Sequence, residues 1–459
     1  MKLSNSLRFS VISLLSASLV GCAMYSQQDY GDRVAQSLEP LSVWSISNTS
    51  QAQRATTLVD LVTIPELEQL IKQALDHNPS VQQTALALQI AYAQKRQVGA
   101  DQLPSLGLNI NASDEEQNER QFNTELSVSW ELDIWQKIAD SKAASSAQLA
   151  SSAADYQAAK DTLAASIMRQ WLSISLYQQK VSIEQQRLVS LDANQTFVSE
   201  RYRKGLGGLE DLDSAKSSSE STKSTIAEYQ ETLAAAQRNL KVLLGQLGDY
   251  SLPEIPDQFP QVILPLADVP DQDLARRPDL IAAFADIQAQ QYTTQVAYKT
   301  MLPSLSLSAA LSDTATHLSD SLLTSPLWSI LGQVTAPLFQ GGRLKAEAQI
   351  EALKTEQTFW AYQETLLNAV NEVEDALSQE QALERQQQHL GLALASVRRS
   401  EANYQDKYRM GLVDILNLLT AQQQVYDIEI QLAQVTFNRL SNRVDLGLAL
   451  GLGVINEAQ

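Results

Sequence analysis

Cysteine occurs once in 459 residues, as Cys22, so no disulfide can form within the chain. Histidine occurs three times, as His77, His317 and His389, too far apart to make a metal-ligand cluster. The five methionines form no tract, so nothing supports soft-metal handling. Basic residues are outnumbered 34 to 53, giving a net charge of −19. No basic patch offers itself to a phosphate backbone, which argues against nucleic acid as a partner. Aromatic residues are only 6 % of the chain. Proline is absent between Trp135 and Pro253 and after Pro337, and glycine is absent between Trp135 and Gly205. Gly341-Gly342 lacks the Lys-Ser/Thr of a phosphate loop and reads as a sharp turn. No enzyme signature, cofactor motif or metal site is expected. These absences leave a protein that works by shape and charge.

Residues 1–21 read as a signal peptide. Lys2 and Arg8 make a positive start, and the apolar core Val11 to Val20 is too short to span a bilayer. Leu19-Val20-Gly21-Cys22 resembles a bacterial lipobox, which makes Cys22 the expected lipid attachment site. The plainer alternative is an ordinary secretory signal with a chance cysteine. Ala23 rather than aspartate follows, which by the lipoprotein sorting rule implies the outer membrane. Loss of residues 1–21, with two bases and no acid, takes the net charge from −19 to −21. Residues 22–63 are polar and are expected to form a lipidated, extended N-terminal arm.

Leu103-Pro104-Ser105-Leu106 is written a second time as Leu302-Pro303-Ser304-Leu305. Each copy opens an alternating run: Leu106, Leu108, Ile110 first, then Leu305, Leu307, Ala309, Leu311. Period-two alternation predicts strands with one apolar and one polar face. A second run follows each, Leu126 to Ile134 and Trp328 to Leu338. The expectation is two β-hairpins, 104–134 and 303–338, with strands of about 9–11 residues, the length of a tilted transmembrane strand. Ser113 to Gln121 and Asp313 to Pro326 are expected as solvent loops. Trp130, Trp135, Trp328 and Phe339 suit either a bilayer interface or ordinary strand-end packing. Four strands leave two open edges that lipid cannot satisfy. If they span the membrane, several chains must close the barrel.

Helix-forming sequence runs unbroken from Lys137 to Lys204, on the order of 100 Å as a helix. A turn at Tyr202-Arg203-Lys204-Gly205-Leu206 reverses it, and a return helix ends at Gly245. After a proline-rich linker, 246–275, the plan restarts. Arg277-Pro278 matches Asn78-Pro79, Tyr408-Arg409-Met410-Gly411-Leu412 matches the first turn, and Leu450-Gly451 matches Leu244-Gly245. Five landmarks repeated in order identify a tandem duplication, with repeats at 64–245 and 276–451 and a tail at 452–459.

The duplicated plan, the Leu-Pro-Ser-Leu junctions and the twin Tyr-Arg-X-Gly-Leu turns resemble the outer membrane efflux protein family. So do the Asp133-Ile134-Trp135 and Phe339-Gln340-Gly341-Gly342-Arg343 exits and the lipobox. The resemblance covers essentially the whole mature chain. It implies an α+β fold in which a tandem duplication forms one third of a trimeric 12-stranded transmembrane β-barrel, continued by a long periplasmic α-helical barrel. It implies a homotrimer in the outer membrane that works with a periplasmic adaptor protein and an inner-membrane efflux pump, usually proton-driven. The linker near 246–275 would contribute to an equatorial domain. Export of small toxic compounds is the expected function. A type I protein-secretion duct is the alternative on the same fold, and a coiled-coil lipoprotein without a pore is the alternative outside it.

The family's gate lies at the helix tips, where acids just past the turn glycine ring the aperture. Asp211 occupies such a position after Gly205, while the corresponding positions after Gly411 hold Asn417 and Thr420. Asp414 is the candidate substitute. Glu210, Asp211 and Asp213 either form a threefold negative collar or simply complement the dipole of a helix start. Gly205 and Gly411 are expected as turn formers at adaptor-docking grooves. Tyr202 and Tyr408 are candidates for packing across neighbouring tips, and Arg203 and Arg409 for salt bridges there.

Overall fold

The structure is a computed structural model that describes residues 29–38, 57–61, 65–116, 118–246, 250–260 and 273–454. The signal segment and Cys22 lie outside the described residues. The elements are α1 (Tyr30–Leu38), α2 (Pro65–His77), α3 (Pro79–Ala100), β1 (Ser105–Glu115), β2 (Asn118–Leu132), α4 (Lys137–Arg203) and α5 (Leu209–Leu243). They continue with α6 (Pro278–Lys299), β3 (Ser304–Ala315), β4 (Leu327–Thr335), α7 (Arg343–Arg409) and α8 (Ile415–Ala449). Short 3-10 turns stand at Val59–Leu61 and Asp273–Arg276.

The duplication is exact in length for three pairs of helices, though not for the strands. α4 and α7 each have 67 residues, α5 and α8 each have 35, and α3 and α6 each have 22. All four long helices end on a left-handed glycine: Gly205, Gly245, Gly411 and Gly451, with φ of +70°, +66°, +73° and +74°. Each carries the paired bonds of a Schellman motif. At the first, Gly205 N–H donates to Tyr202 O at 2.9 Å and Leu206 N–H to Arg201 O at 2.9 Å. The Xaa-Pro junctions have a tertiary task that their sequence does not announce. Asn78 Nδ2 donates to Leu243 O at 2.9 Å, and Arg277 Nη1 to Ala449 O at 3.0 Å. Each junction therefore satisfies a carbonyl that its return helix leaves open at the C-terminus.

The chain forms two compact units. The first comprises residues 1–41, 86–154 and 279–365. It contains one antiparallel sheet in the order β1-β2-β3-β4, so the β2–β3 pairing joins the repeats. Directly paired residues share a face. Leu106 pairs with Val128, which pairs with Ala309, which pairs with Ile330. Leu108, Leu126, Leu311 and Trp328 form the next such row. The opposite face carries Ser105, Ser129 and Ser308 in one row and Asn109, Glu125 and Ser312 in another, and these rows end on Leu331 and Leu327 of β4. The apolar face of this sheet is largely exposed in the single chain.

The strands depart from expectation at four places. β1 and β2 run through most of the polar stretch 113–121, because backbone pairing continues wherever both faces are solvated. β3 likewise takes in Asp313 to Ala315. β2 stops at Leu132, before Ile134, where Asp133 instead accepts the first amides of α4 from Ile138 and Ala139 at 2.9 and 2.8 Å. β4 stops at Thr335, two residues short of Pro337, which has no amide hydrogen to donate. The expected hairpin ends at 134 and 338 are thus corrected to 132 and 335.

The N-terminal arm is also corrected: residues 30–38 are a helix, not extended chain. α1 buries Tyr30 and Val34. Arg33 makes a bidentate pair with Glu356 at 2.8 and 3.1 Å and lies 3.7 Å from the Phe359 ring centroid. Tyr30, Val34 and Leu38 recur at helical spacing, but nine residues are too few to hold a helix alone, and the docking to α7 supplies the missing stability.

The second unit comprises residues 42–85, 155–278 and 366–459. Its core gathers Leu67, Leu70 and Ile71 of α2, Ile167, Trp171 and Ile174 of α4, Leu240 of α5, and Leu440 and Val444 of α8. Leu252 and Ile255 of the linker pack on it. Asp161 is buried beside the C-terminal segment and accepts from Val454 N–H and Gln157 Nε2, each at 2.9 Å. Burial pushes its carboxyl up to about 6, opposed by those two hydrogen bonds and by Lys160.

Candidate functional site

Both turns between the long helices belong to the second unit, so their geometry can be compared directly. Gly205 and Gly411 stand free: a side chain added at either would meet nothing within 4 Å. Their role at these tips is conformational, since positive φ favours glycine. The residues around them differ. After Gly205 come Glu210, Asp211 and Asp213, all exposed. At the same places after Gly411 stand Leu416, Asn417 and Leu419. Met410, Leu412 and Leu416 give the second turn an exposed apolar surface.

Asp211 lies in the first turn of α5, and its Oδ2 accepts the Gly208 amide at 3.4 Å. That contact fits the helix-start role, and its exposure leaves the collar role open as well. Asp414 is the N-cap residue of α8, and its Oδ1 lies 3.7 Å from Arg201 Nη1. This ion pair links the first turn to the second. Arg201 also donates to Leu206 O at 3.1 Å, so one guanidinium holds its own turn and reaches the other.

Arg203 and Arg409, the candidates for salt bridges across neighbouring tips, are not part of this pair within one subunit. Arg409 pairs with Asp406 on its own helix at 3.6 Å, three residues away. Arg203 is exposed. Arg201 reaches Asp414 because it lies two residues nearer the helix body, on the side facing Asp414. Tyr408 packs edge-on against Phe197, ring centroids 6.0 Å apart, so it joins α7 to α4 within one subunit. Tyr202 is exposed. Phe197 and Arg201 were not singled out from the sequence. Their spacing of four residues, placing both on one helix face, was the available signal.

Among the described residues, no group of three or more His, Cys, Asp and Glu is placed to hold a metal ion. No described helix is long and apolar enough to cross a membrane. The sheet is the element with a face suited to lipid, and its two edges are unpaired in one chain.

A sheet of this kind, joined to long helices that end in paired turns, defines a subunit of an oligomeric outer-membrane channel. The sequence profile of outer membrane efflux proteins matches residues 70–246 and 269–452, and the chain belongs to that family. It is 29 % identical over 477 residues to the pyoverdine export outer membrane protein OpmQ of Pseudomonas putida, covering 96 % of each chain. It is 28 % identical over 399 residues to the cation efflux system protein CusC of Escherichia coli O6:H1, covering 84 % of this chain and 86 % of that one. A solved structure of CusC superposes with a TM-score of 0.77 at 26 % identity, covering 90 % of this chain and 96 % of that one. Members of the family form trimeric channels that work with adaptor proteins and inner-membrane pumps. Three four-stranded sheets make the twelve-stranded barrel. The protein is thus an outer-membrane efflux channel and not an enzyme.

Proposed function

We propose that this channel is the exit duct for small toxic compounds or drugs, delivered by a periplasmic adaptor and a proton-driven inner-membrane pump. The observation that carries the duct is the sheet, with an apolar face for lipid and an opposite face that is rich in Ser and Asn over β1 to β3 for water. Small cargo, rather than secreted protein, is favoured by the relatives, whose names specify cations and pyoverdine. Lipid on Cys22 anchors the arm, with α1 fastened to α7 eight residues further on. The linker near 246–275 serves as the equatorial segment. The turns at Gly205 and Gly411 are the gate and the adaptor-docking tips.

In this reading the closed state is held by Tyr408 on Phe197 and by Asp414 beside Arg201. Each link ties the two turns of one subunit, so breaking them frees one helix pair to move against the other. The acids Glu210, Asp211 and Asp213 give the aperture a negative field that favours cations.

Planar-bilayer recording of the wild type beside Arg201→Ala and Asp211→Ala tests both parts. Expected are small, mostly closed events in the wild type, longer openings in Arg201→Ala, and weaker cation preference in Asp211→Ala. Identical records from all three would move the gate elsewhere. Unchanged drug susceptibility of a host deleted for the gene would count against drug cargo.

A further inference from the structure

The internal repeat supplies a template for a joint that one chain cannot complete. In the first unit, α6 of repeat 2 packs against α4 of repeat 1. Gln148 Nε2 donates to Asp286 Oδ1 at 3.4 Å, and Lys299 is paired with Asp140. Ala147, Ser151 and Ala154 share the Asp140 face of α4 by their spacing, and all three are buried. Ala285 and Ala289 flank Asp286 on α6 and are buried too. The joint inside the chain is therefore small residue against small residue, with a salt bridge at one end.

Each short helix also packs on the long helix of its own repeat. Thr294 and Thr355 hydroxyls meet at 2.9 Å between α6 and α7, and Lys142 of α4 donates to Gln102, just past α3, at 3.0 Å. α6 thus has two long-helix neighbours. Among the described residues α3 has one, its own repeat's α4. α7 likewise lacks the following repeat that α4 enjoys.

The positions equivalent to the buried alanines show what is missing. Ala147, Ser151 and Ala154 correspond to Leu353, Gln357 and Trp360, where Leu353 is 63 % and Trp360 61 % exposed. Ala285 and Ala289 correspond to Leu86 and Ile90, which are 56 % and 57 % exposed. Both halves of the absent joint are present, and both carry large apolar side chains. The salt bridge has no counterpart: Lys299 and Asp140 correspond to Ala100 and Ala346, both exposed.

We propose that Leu353 and Trp360 on α7 of one subunit seat against Leu86 and Ile90 on α3 of the next. This seam is the apolar contact that holds the trimer together beside the barrel. It rests on the trimeric channel described above and assigns the side chains of its seam. The sheet edges require the same neighbour. β4 of one subunit must pair with β1 of the next to close the barrel, and α7 follows β4 directly while α3 directly precedes β1. The occupant of both faces is therefore a second copy of this chain. Within a chain, covalent connection holds the repeats in place and alanine suffices. Between chains, association must overcome lost translational freedom, and large apolar residues supply the extra burial.

Two cysteine pairs, Leu86→Cys with Trp360→Cys and Ile90→Cys with Leu353→Cys, are introduced into the full protein and treated with a short bis-maleimide. The wild type, with Cys22 as its single cysteine, is the control. Light-scattering mass of the detergent-solubilised protein establishes separately that each sample is a trimer. Expected are covalent dimers and trimers from at least one pair and none from the wild type. Trp360→Ala should weaken subunit association about thirtyfold per seam, as for an aromatic anchor at an interface. A trimer that yields no covalent oligomer from either pair overturns the seam while leaving the trimer standing. Stronger quenching by brominated lipid in intact wild-type trimers than in Trp360→Phe trimers would also overturn it, by giving the face to the bilayer. A monomeric wild type would instead remove the trimer on which the seam depends.

Discussion

Repeat 1 and repeat 2 have the same helix lengths and different interiors. In repeat 1, Ile174 is buried, and Leu233 packs against the same core. The equivalent positions in repeat 2 hold Glu380 and Arg439. There Arg439 donates to Glu380, Gln387 and Glu384 at 2.9, 2.8 and 3.1 Å, and Arg443 adds a bond to Glu380 at 2.8 Å. The linker explains the difference. Leu252 and Ile255 lay an apolar surface on the core that includes Ile174. The buried charges of repeat 2 pair with one another instead through Glu380 Oε1, while Glu380 Oε2 has no hydrogen-bond partner. Length is held constant because helices that share a barrel must reach the same levels. Side chains diverge because each repeat meets different neighbours.

The largest test breaks the charged interior. Arg439→Leu alone should cost about 3–5 kcal/mol, because Glu380 keeps its burial and loses a partner. The triple change E380I/R439L/R443Q writes the residues of repeat 1 into repeat 2 and should recover most of that loss in chemical denaturation. Failure of the triple change to recover would show that the two interiors are not interchangeable.

A second test uses glycines that share one conformation. A side chain at Gly245 would lie 2.3 Å from His77 O, whereas at Gly411 it would meet nothing within 4 Å. Gly245→Ala should cost about 3 kcal/mol, combining overpacking with left-handed strain. Gly411→Ala should cost about 1 kcal/mol, from strain alone. Equal shifts in melting temperature would contradict the close approach at His77.

Third, Asp161 is equivalent to the exposed Leu367 of repeat 2. Its folded pKa of about 6 lies above the ordinary carboxylate value of 3.8, so folding binds its proton more tightly. The destabilisation is absent below about pH 4, grows as pH rises to about 6, and stays constant above that, reaching about 3 kcal/mol. Stability measured against pH should show this fall in the wild type. The difference curve against Asp161→Asn isolates it from other groups, and a flat difference would remove the assignment.

The smallest effect is at the tips. Arg201 and Asp414 are both partly exposed, so Asp414→Ala should change stability by less than about 1 kcal/mol. Its consequence is expected in channel open time, where a small bias between two states is directly visible.

The sequence alone determined the duplication, the four strands, the long helix pairs and their turns. Those features are written in local terms: alternation for strands, the absence of proline and glycine for helices, and glycine where the backbone must turn left-handed. It also led to the family, through the order of the landmarks rather than any one of them. Tertiary structure decided the rest. It made a helix of residues 30–38, because Tyr30 and Arg33 bond to Glu356, more than 300 residues away. It brought Arg201 to Asp414, because an ion pair depends on which side of the helix faces the other turn. It gave Asn78 and Arg277 the same task although their side chains differ, because each meets an open carbonyl at the end of its return helix. Local pattern carries the backbone's preferences, and only the fold brings distant side chains within reach of one another.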